Sequence, residues 1–229
     1  MTDDRHPFLT FYCGRCGHPH RVELSCGDRT CPKCRKKWFG YHYKTLLKCI
    51  EPWPDVYFMT LTIKNIPEIG RYDVVRIRAS FTELRKKIPE IRGGFYVVQA
   101  TNRGRDWHLH LHVLFDGSFI AKERLSRAWA EATHGSYIVN IKRAESPAKG
   151  IRYLLSDFSG APRIRPEDYD EYNSVFAGSR LVQPFGKYRL TKLSCRDPFP
   201  CPVCGCDCWL FLDNLFDRDL RPHRREDSS

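Results

Sequence analysis

With 229 residues, 41% of them hydrophobic, the chain has material for one core domain of usual size plus small appendages. A formal net charge of +11 points to a polyanionic partner, nucleic acid before any other. No apolar run is long enough to cross a bilayer, and the start, Met1-Thr2-Asp3-Asp4-Arg5-His6, lacks the layout of a signal peptide, so an intracellular protein with no membrane partner is expected.

Ten of the eleven cysteines lie in two terminal clusters, and Cys-x-x-Cys pairs in a reducing compartment mean metal before disulfides. Cys13-Gly-Arg-Cys16 and Cys31-Pro-Lys-Cys34 read as one zinc ribbon over residues 1–50, four thiolates closing a tetrahedron, with Cys26 as an alternate ligand. Zinc would supply most of the folding energy of so short a module. Residues 1–50 also hold ten Lys/Arg against four Asp/Glu. Arg15, Arg29, Lys33, Arg35, Lys36 and Lys37, with Tyr12 and Trp38 among them, suit phosphate contacts and base stacking.

A helix is expected from Trp38 to Cys49, broken by Pro52-Trp53-Pro54, and then a strand from Val56 to Ile63. Val74, Ile77, Phe81, Leu84 and Ile88 step by three and four, which makes Tyr72–Ile88 an amphipathic helix. A strand from Phe95 to Ala100 turns at Asn102-Arg103-Gly104-Arg105 into a second, Trp107 to Phe115. In that second strand Trp107, Leu109, Leu111, Val113 and Phe115 share one face, and His108, His110 and His112 share the other. Three imidazoles at period two read as a metal site mounted on a sheet. A helix from Ala121 to Thr133 closes at His134-Gly135, and Tyr137 to Ile141 forms a fourth strand. The order strand–helix–strand–strand–helix–strand is the ferredoxin-like split βαβ arrangement, an α+β fold with an antiparallel sheet over residues 51–160.

One further helix, Pro147 to Phe158, carries an apolar stripe of Ile151, Leu154, Leu155 and Phe158. Tyr153 falls on its far side among Lys149, Ser156 and Asp157, and Asp157 is expected to be an exposed cap-like acid. Residues 161–216 form an irregular extension ending in a second zinc module, for which Cys201, Cys204, Cys206 and Cys208 are the expected ligands and Cys195 an alternate. The tail 217–229 is expected to be disordered.

Over residues 56–158 the chain resembles the HUH endonuclease superfamily, in particular the rolling-circle replication initiators of small plasmids and single-stranded DNA phages. Phe58-Met59-Thr60-Leu61-Thr62 is similar to the first motif of that family. His110-Leu111-His112-Val113-Leu114-Phe115 is similar to the second, and Tyr153-Leu-Leu-Ser156 to the third. The resemblance implies a catalytic Mg²⁺ or Mn²⁺ on His110, His112 and a third ligand, either Gln99 or its rival His108. It implies Tyr153 as the nucleophile that nicks and rejoins single-stranded DNA through a 5′-phosphotyrosine. The family lysine is replaced by Ser156, and Lys149 or Arg152 are the candidates to take its place on the phosphate. The pattern from Cys13 to Cys34 also resembles the zinc domain that precedes HUH domains in some transposases. The expectation is therefore a cytoplasmic prokaryotic replication initiator, plasmid- or phage-encoded, acting on an origin stem-loop with the host helicase and polymerase. A single-stranded DNA transposase with the same chemistry is the alternative, and a non-catalytic zinc-dependent nucleic-acid-binding protein is the other.

Overall fold

A computed structural model describes residues 6–102, 104, 106–159, 162–191, 193 and 199–211. The chain divides into two compact units, one holding the described residues up to Cys26 together with those from Phe199 on, the other running from Gly27 to Leu193. The expected tail 217–229 and the alternate ligand Cys195 lie outside the described residues.

The smaller unit is a three-stranded antiparallel sheet. β1 (Phe8–Cys13) lies between β2 (Pro19–Glu23) and β8 (Trp209–Phe211), with Phe11 opposite both His20 and Phe211. So short a sheet buries little: Phe8 and Leu210 stay about half exposed. What cohesion the strands have comes from ring contacts, with His20 packed against Phe199 and Trp209 at centroid distances of 4.4 and 5.4 Å.

In the larger unit α1 (Pro32–Ile50) starts six residues before the expected Trp38. Pro32 at its first position, where the missing N–H costs nothing, sets this start. β3 (Val56–Thr62), α2 (Arg71–Lys87), β4 (Ile91–Asn102), β5 (Trp107–Gly117), α3 (Lys122–Thr133) and β6 (Val139–Arg143) then follow in the expected order. β6 begins two residues later than expected, which leaves Tyr137 and Ile138 exposed ahead of it. The strands lie side by side as β6-β3-β5-β4, every pair antiparallel, which is the ferredoxin-like order.

The alternation read from β5 decides what covers the sheet. Trp107, Leu109, Leu111, Val113 and Phe115 are all buried in one cluster with Val74, Ile77 and Phe81 of α2 and Leu125 and Trp129 of α3. On the opposite face Phe58, Phe95, Val97 and Leu114 pack with Leu46 and Ile50 of α1 and with Ile151, Leu154, Leu155 and Phe158. The histidine face is therefore covered rather than solvated along much of its length.

Two expectations change here. The helix expected from Pro147 to Phe158 is α-helical only as α4 (Pro147–Leu154), and Ser156–Phe158 tightens to a 3₁₀ turn. The segment expected to be irregular holds α5 (Tyr169–Phe176) and β7 (Gln183–Gly186), and β7 adds a fifth strand beside β4. Its eight and four residues are too short for periodicity to announce, and Tyr172, Phe176 and Phe185 join the core by packing. Among the described residues no helix is long and apolar enough to cross a membrane.

Candidate functional site

The sheet register assembles the site. His110 sits directly between Thr62 of β3 and Gln99 of β4, and His112 between Thr60 and Val97. Residues directly opposite in antiparallel strands share a face, so Thr60, Thr62, Gln99, His110 and His112 point the same way. His110 Nε2 is 3.2 Å from Gln99 Oε1, and His112 Nδ1 is 3.2 Å from Thr60 Oγ1. The Gln99 amide N–H₂ reaches the Leu154 carbonyl at 3.4 Å, tying the sheet to the helix above it. His108 is turned elsewhere, its Nδ1 2.8 Å from Asn65 Oδ1.

Tyr153 arrives from α4. Ser146 caps that helix by accepting from the Lys149 N–H, and Pro147 opens it. Gly150 is where the helix comes down on the sheet: a Cβ there would stand 2.8 Å from Leu114 Cδ1 and 3.3 Å from Ala144 Cβ. One turn on, the Tyr153 ring packs edge-on against Phe58 at 3.9 Å between centroids and against His112 at 5.3 Å. It remains 46% exposed, so the ring lies beside His112 while open to solvent.

Burial drives the electrostatics. It pushes His110 down to about 4, with His108 and the Arg163 guanidinium adding to the effect, and it pushes His112 well below its ordinary value, with His110 and Arg163 contributing. Both rings are thus neutral at physiological pH, the form that binds a metal ion. The residues fit a hard divalent cation. Adjacent ligands of an octahedral Mg²⁺ stand about 3.0 Å apart, close to the Nε2–Oε1 separation of 3.2 Å, and an amide oxygen suits such an ion. The bond of His112 Nδ1 to Thr60 leaves its Nε2 unused by that contact. His110 Nδ1 is buried without a hydrogen-bond partner.

Beside the histidines lies a cleft of about 500 Å³ lined by Asn65, Thr101, Asp106, His108, His110 and Arg163. Arg163 is exposed and carries positive charge into it. No sequence signal marks this residue, because it falls in the segment that has no motif and no periodicity. The expected phosphate contacts divide into two groups. Arg15, Lys33, Lys36 and Lys37 are exposed, as are Lys149, paired with Glu145, and Arg152, whose guanidinium lies 5.2 Å over the Tyr43 ring.

Arg29 and Arg35 are not available to a phosphate: they are 6% and 1% exposed. Arg29 donates to the Ser179 carbonyl and hydroxyl at 2.6 and 2.9 Å, and Arg35 to the Arg29 carbonyl at 3.0 Å. Asp157, in whose field they lie, is 6% exposed rather than a cap-like acid. Burial pushes its carboxyl up, and Arg35, Arg163 and Arg29 oppose that shift.

The cysteines group differently from the expected ribbon. Cys13, Cys16, Cys201 and Cys204 have their ligand atoms within 4.8 Å of one another, with Cys13 Sγ 3.5 Å from Cys204 Sγ and Cys16 Sγ 3.6 Å from Cys201 Sγ. A zinc tetrahedron with Zn–S of about 2.3 Å has edges of about 3.8 Å, so the four sulfurs are spaced for one ion. Strand pairing is the reason. β1 ends at Cys13 opposite Trp209, the first residue of β8, so the turn leaving β1 and the turn ahead of β8 meet at one end of the sheet. The two turns are built alike: Gly17 N–H donates to the Cys13 carbonyl at 2.9 Å and Gly205 N–H to the Cys201 carbonyl at 2.8 Å. Both glycines take the left-handed φ, +69° and +70°, that such a knuckle requires. The Cys16 N–H holds the Cys13 thiol down to about 6, which favours the thiolate.

Cys31 and Cys34 therefore do not complete the Cys13–Cys16 set. Cys206 and Cys208, expected as ligands, do not belong to the Cys13, Cys16, Cys201 and Cys204 group; the Cys208 N–H donates to Cys206 Sγ at 3.3 Å.

Residues 2–63 match the family model of a transposase zinc-binding domain, of the IS91 type. Comparison with the curated proteins and with the solved structures gave no match. The matched stretch holds Cys13, Cys16, Cys26, Cys31 and Cys34 and ends at β3. The match supports the resemblance to rolling-circle nucleases in its broad form, and structural zinc with it.

Proposed function

We propose that the chain is a single-stranded DNA transposase that nicks and rejoins its substrate by HUH chemistry. The observation that carries this reading is the edge contact of the Tyr153 ring with His112, on the face that also presents His110 and Gln99. The match of residues 2–63 to a transposase zinc-binding domain favours transposon ends over a replication origin as the DNA. A rolling-circle initiator would share the chemistry and differ in its target.

His110, His112 and Gln99 hold a Mg²⁺ or Mn²⁺ ion in this reading, which when bound supplies Lewis-acid polarisation of the scissile phosphate. Tyr153 Oη forms the new bond to phosphorus as the bond to the 3′ oxygen breaks. The phenol proton is lost and the departing oxygen gains one, leaving a 5′-phosphotyrosine and a free 3′-hydroxyl. The same steps in reverse reseal the strand. Arg163, in the cleft beside His110, takes the phosphate-positioning role that Ser156 cannot fill, ahead of Lys149 and Arg152, which are engaged with Glu145 and Tyr43. Zinc on Cys13, Cys16, Cys201 and Cys204 would hold the small sheet together.

The test is incubation with Mn²⁺ and a stem-loop oligonucleotide, followed by denaturing electrophoresis. The wild type is expected to give a covalent protein–DNA band that Tyr153→Phe lacks while still binding the oligonucleotide. A band of equal yield from Tyr153→Phe would overturn the assignment.

A further inference from the structure

The cleft beside His110 does not end at the histidines. It shares Asn65 and His108 with an adjoining cleft of about 360 Å³, to which Lys64, Tyr137 and Ile138 add walls. That cleft in turn shares Ile63, Lys64 and Ser136 with a third, about 640 Å³, to which Tyr72, Arg76 and His134 contribute. The three therefore follow one another away from the Tyr153 site, around the end of β3 and on between α2 and α3.

Two large rings stand along this path without packing. Tyr72 is 74% exposed and Tyr137 66%, and Ile138 beside Tyr137 is 61% exposed. Exposed tyrosines are common singly, but here the backbone beneath them is pinned. The Ile138 carbonyl accepts from the Thr62 N–H at 3.1 Å, and the Tyr137 carbonyl from the Ser126 hydroxyl at 2.6 Å. Tyr72 stands in the first turn of α2, two residues beyond its Gly70 N-cap, where the Asp73 carboxylate accepts from the Gly70 N–H at 3.0 Å. Rings rooted in a fixed backbone and left bare cost less entropy to stack upon than rings on a segment that must itself be ordered. The cations alternate with them. Lys64 is exposed, its own N–H fixed to the Ser136 hydroxyl at 3.0 Å, and Arg76 is exposed, 3.3 Å from the partly buried Asp73 carboxylate. Lys64, Arg76 and Arg163 line the clefts with Asp106 and Glu83 among them, and cations with spaced aromatic faces fit a polyanion that offers bases for stacking.

We propose that these clefts form the path for the single-stranded DNA flanking the scissile phosphate, with Tyr137 and Tyr72 stacking on bases and Lys64 and Arg76 meeting the backbone. This rests on the nuclease reading of the Tyr153 site, and it adds a binding surface that the motifs do not contain.

The experiment uses the full chain without added divalent ion and fluorescein-labelled oligothymidylates of about 6 and about 16 nucleotides, the span of one to several stacking sites. The longer strand is expected to bind more tightly to the wild type. Tyr72→Ala with Tyr137→Ala is expected to weaken the longer strand by about ten-fold or more and the shorter by about two-fold at most. Lys64→Ala with Arg76→Ala is expected to lower the slope of log affinity against log salt by about 1.4. Phe119→Ala, a 68% exposed ring away from these clefts, serves as the control and is expected to change nothing. Equal affinity for both lengths, or a tyrosine pair that loses no more than the Phe119 control, would overturn the proposal. A chain that forms the Tyr153 adduct but shows no length dependence retires the groove alone. A length dependence that the tyrosine pair abolishes, in a chain that forms no adduct, supports the groove and retires the catalytic reading.

Discussion

Gly150 offers a way to move the nucleophile without touching it. Replacing it by alanine places a Cβ 2.8 Å from Leu114 Cδ1, where carbon contacts settle at about 3.5–4.0 Å, so the helix and sheet must part by about 1 Å. Leu114 is fully buried and cannot swing clear. Overpacking of this kind costs about 1–3 kcal/mol, while the gain in helix propensity from glycine to alanine returns about 1 kcal/mol. The net change in stability is thus about 0–2 kcal/mol of destabilisation, small enough for the protein to remain folded. Activity is expected to suffer more, because a displacement of about 1 Å at a reacting group can cost about 100-fold. Thermal melting and single-turnover adduct formation on the same preparation separate the two effects. A Gly150→Ala protein with raised Tm and undiminished adduct yield would show that propensity outweighs packing here, and that Gly150 does not set the position of Tyr153.

Three other outcomes follow from particular contacts. Cys204→Ser is expected to remove one equivalent of zinc per chain by elemental analysis, whereas Cys206→Ser and Cys208→Ser retain the wild-type content; loss from Cys208→Ser would refute the observed ligand set. Arg35→Ala leaves Asp157 buried with one counter-charge fewer and is expected to cost about 3 kcal/mol in denaturant melts with no change in the salt dependence of DNA binding, whereas Lys36→Ala with Lys37→Ala is expected to lower the salt slope by about 1.4. Asp116 is buried at the end of β5, 2.8 Å from Arg92 and paired also with Lys187 and Tyr188; burial pushes its carboxyl up, but these partners prevail and hold it below its ordinary value. Its contribution is therefore present above about pH 4 and is lost as pH falls through the lowered value, so wild type and Asp116→Asn are expected to differ by about 2 kcal/mol at neutral pH and to converge in acid. A difference that persists undiminished at the lowest pH where both fold would contradict the charge pairing.

What the sequence announced was whatever repeats at a short period. Alternation from Trp107 to Phe115 named both faces of β5, and the steps of α2 and its stop at Pro89 placed that helix within one residue. The register that brings Gln99 beside His110 could be anticipated because both lie on one hairpin, its strands joined by a short turn. The pairing of cysteine knuckles could not. Cys13 and Cys204 are 191 residues apart, and their meeting depends on β1 pairing with β8, a three-residue strand with no periodic signature. Counting along the chain favoured Cys31 and Cys34 instead, because nearness in sequence was the only available measure. Arg29, Arg35 and Asp157 misled for a related reason. Charge suggests a surface, and only the fold reveals that these residues lie in the interior. Arg163 enters the site by tertiary placement alone, its carbonyl accepting from the Asn102 N–H at the end of β4.

In the proposed reaction Tyr153, whose ring meets His112 edge-on, is the nucleophile that forms the covalent bond to DNA. Digestion of the Mn²⁺-dependent adduct and mass spectrometry of the nucleotide-bearing peptide tests it directly. The account requires the 5′-phosphate on Tyr153, in the peptide that contains Leu154 and Leu155. Attachment at any other tyrosine, or a protein that cleaves the strand with no residue modified, would contradict it.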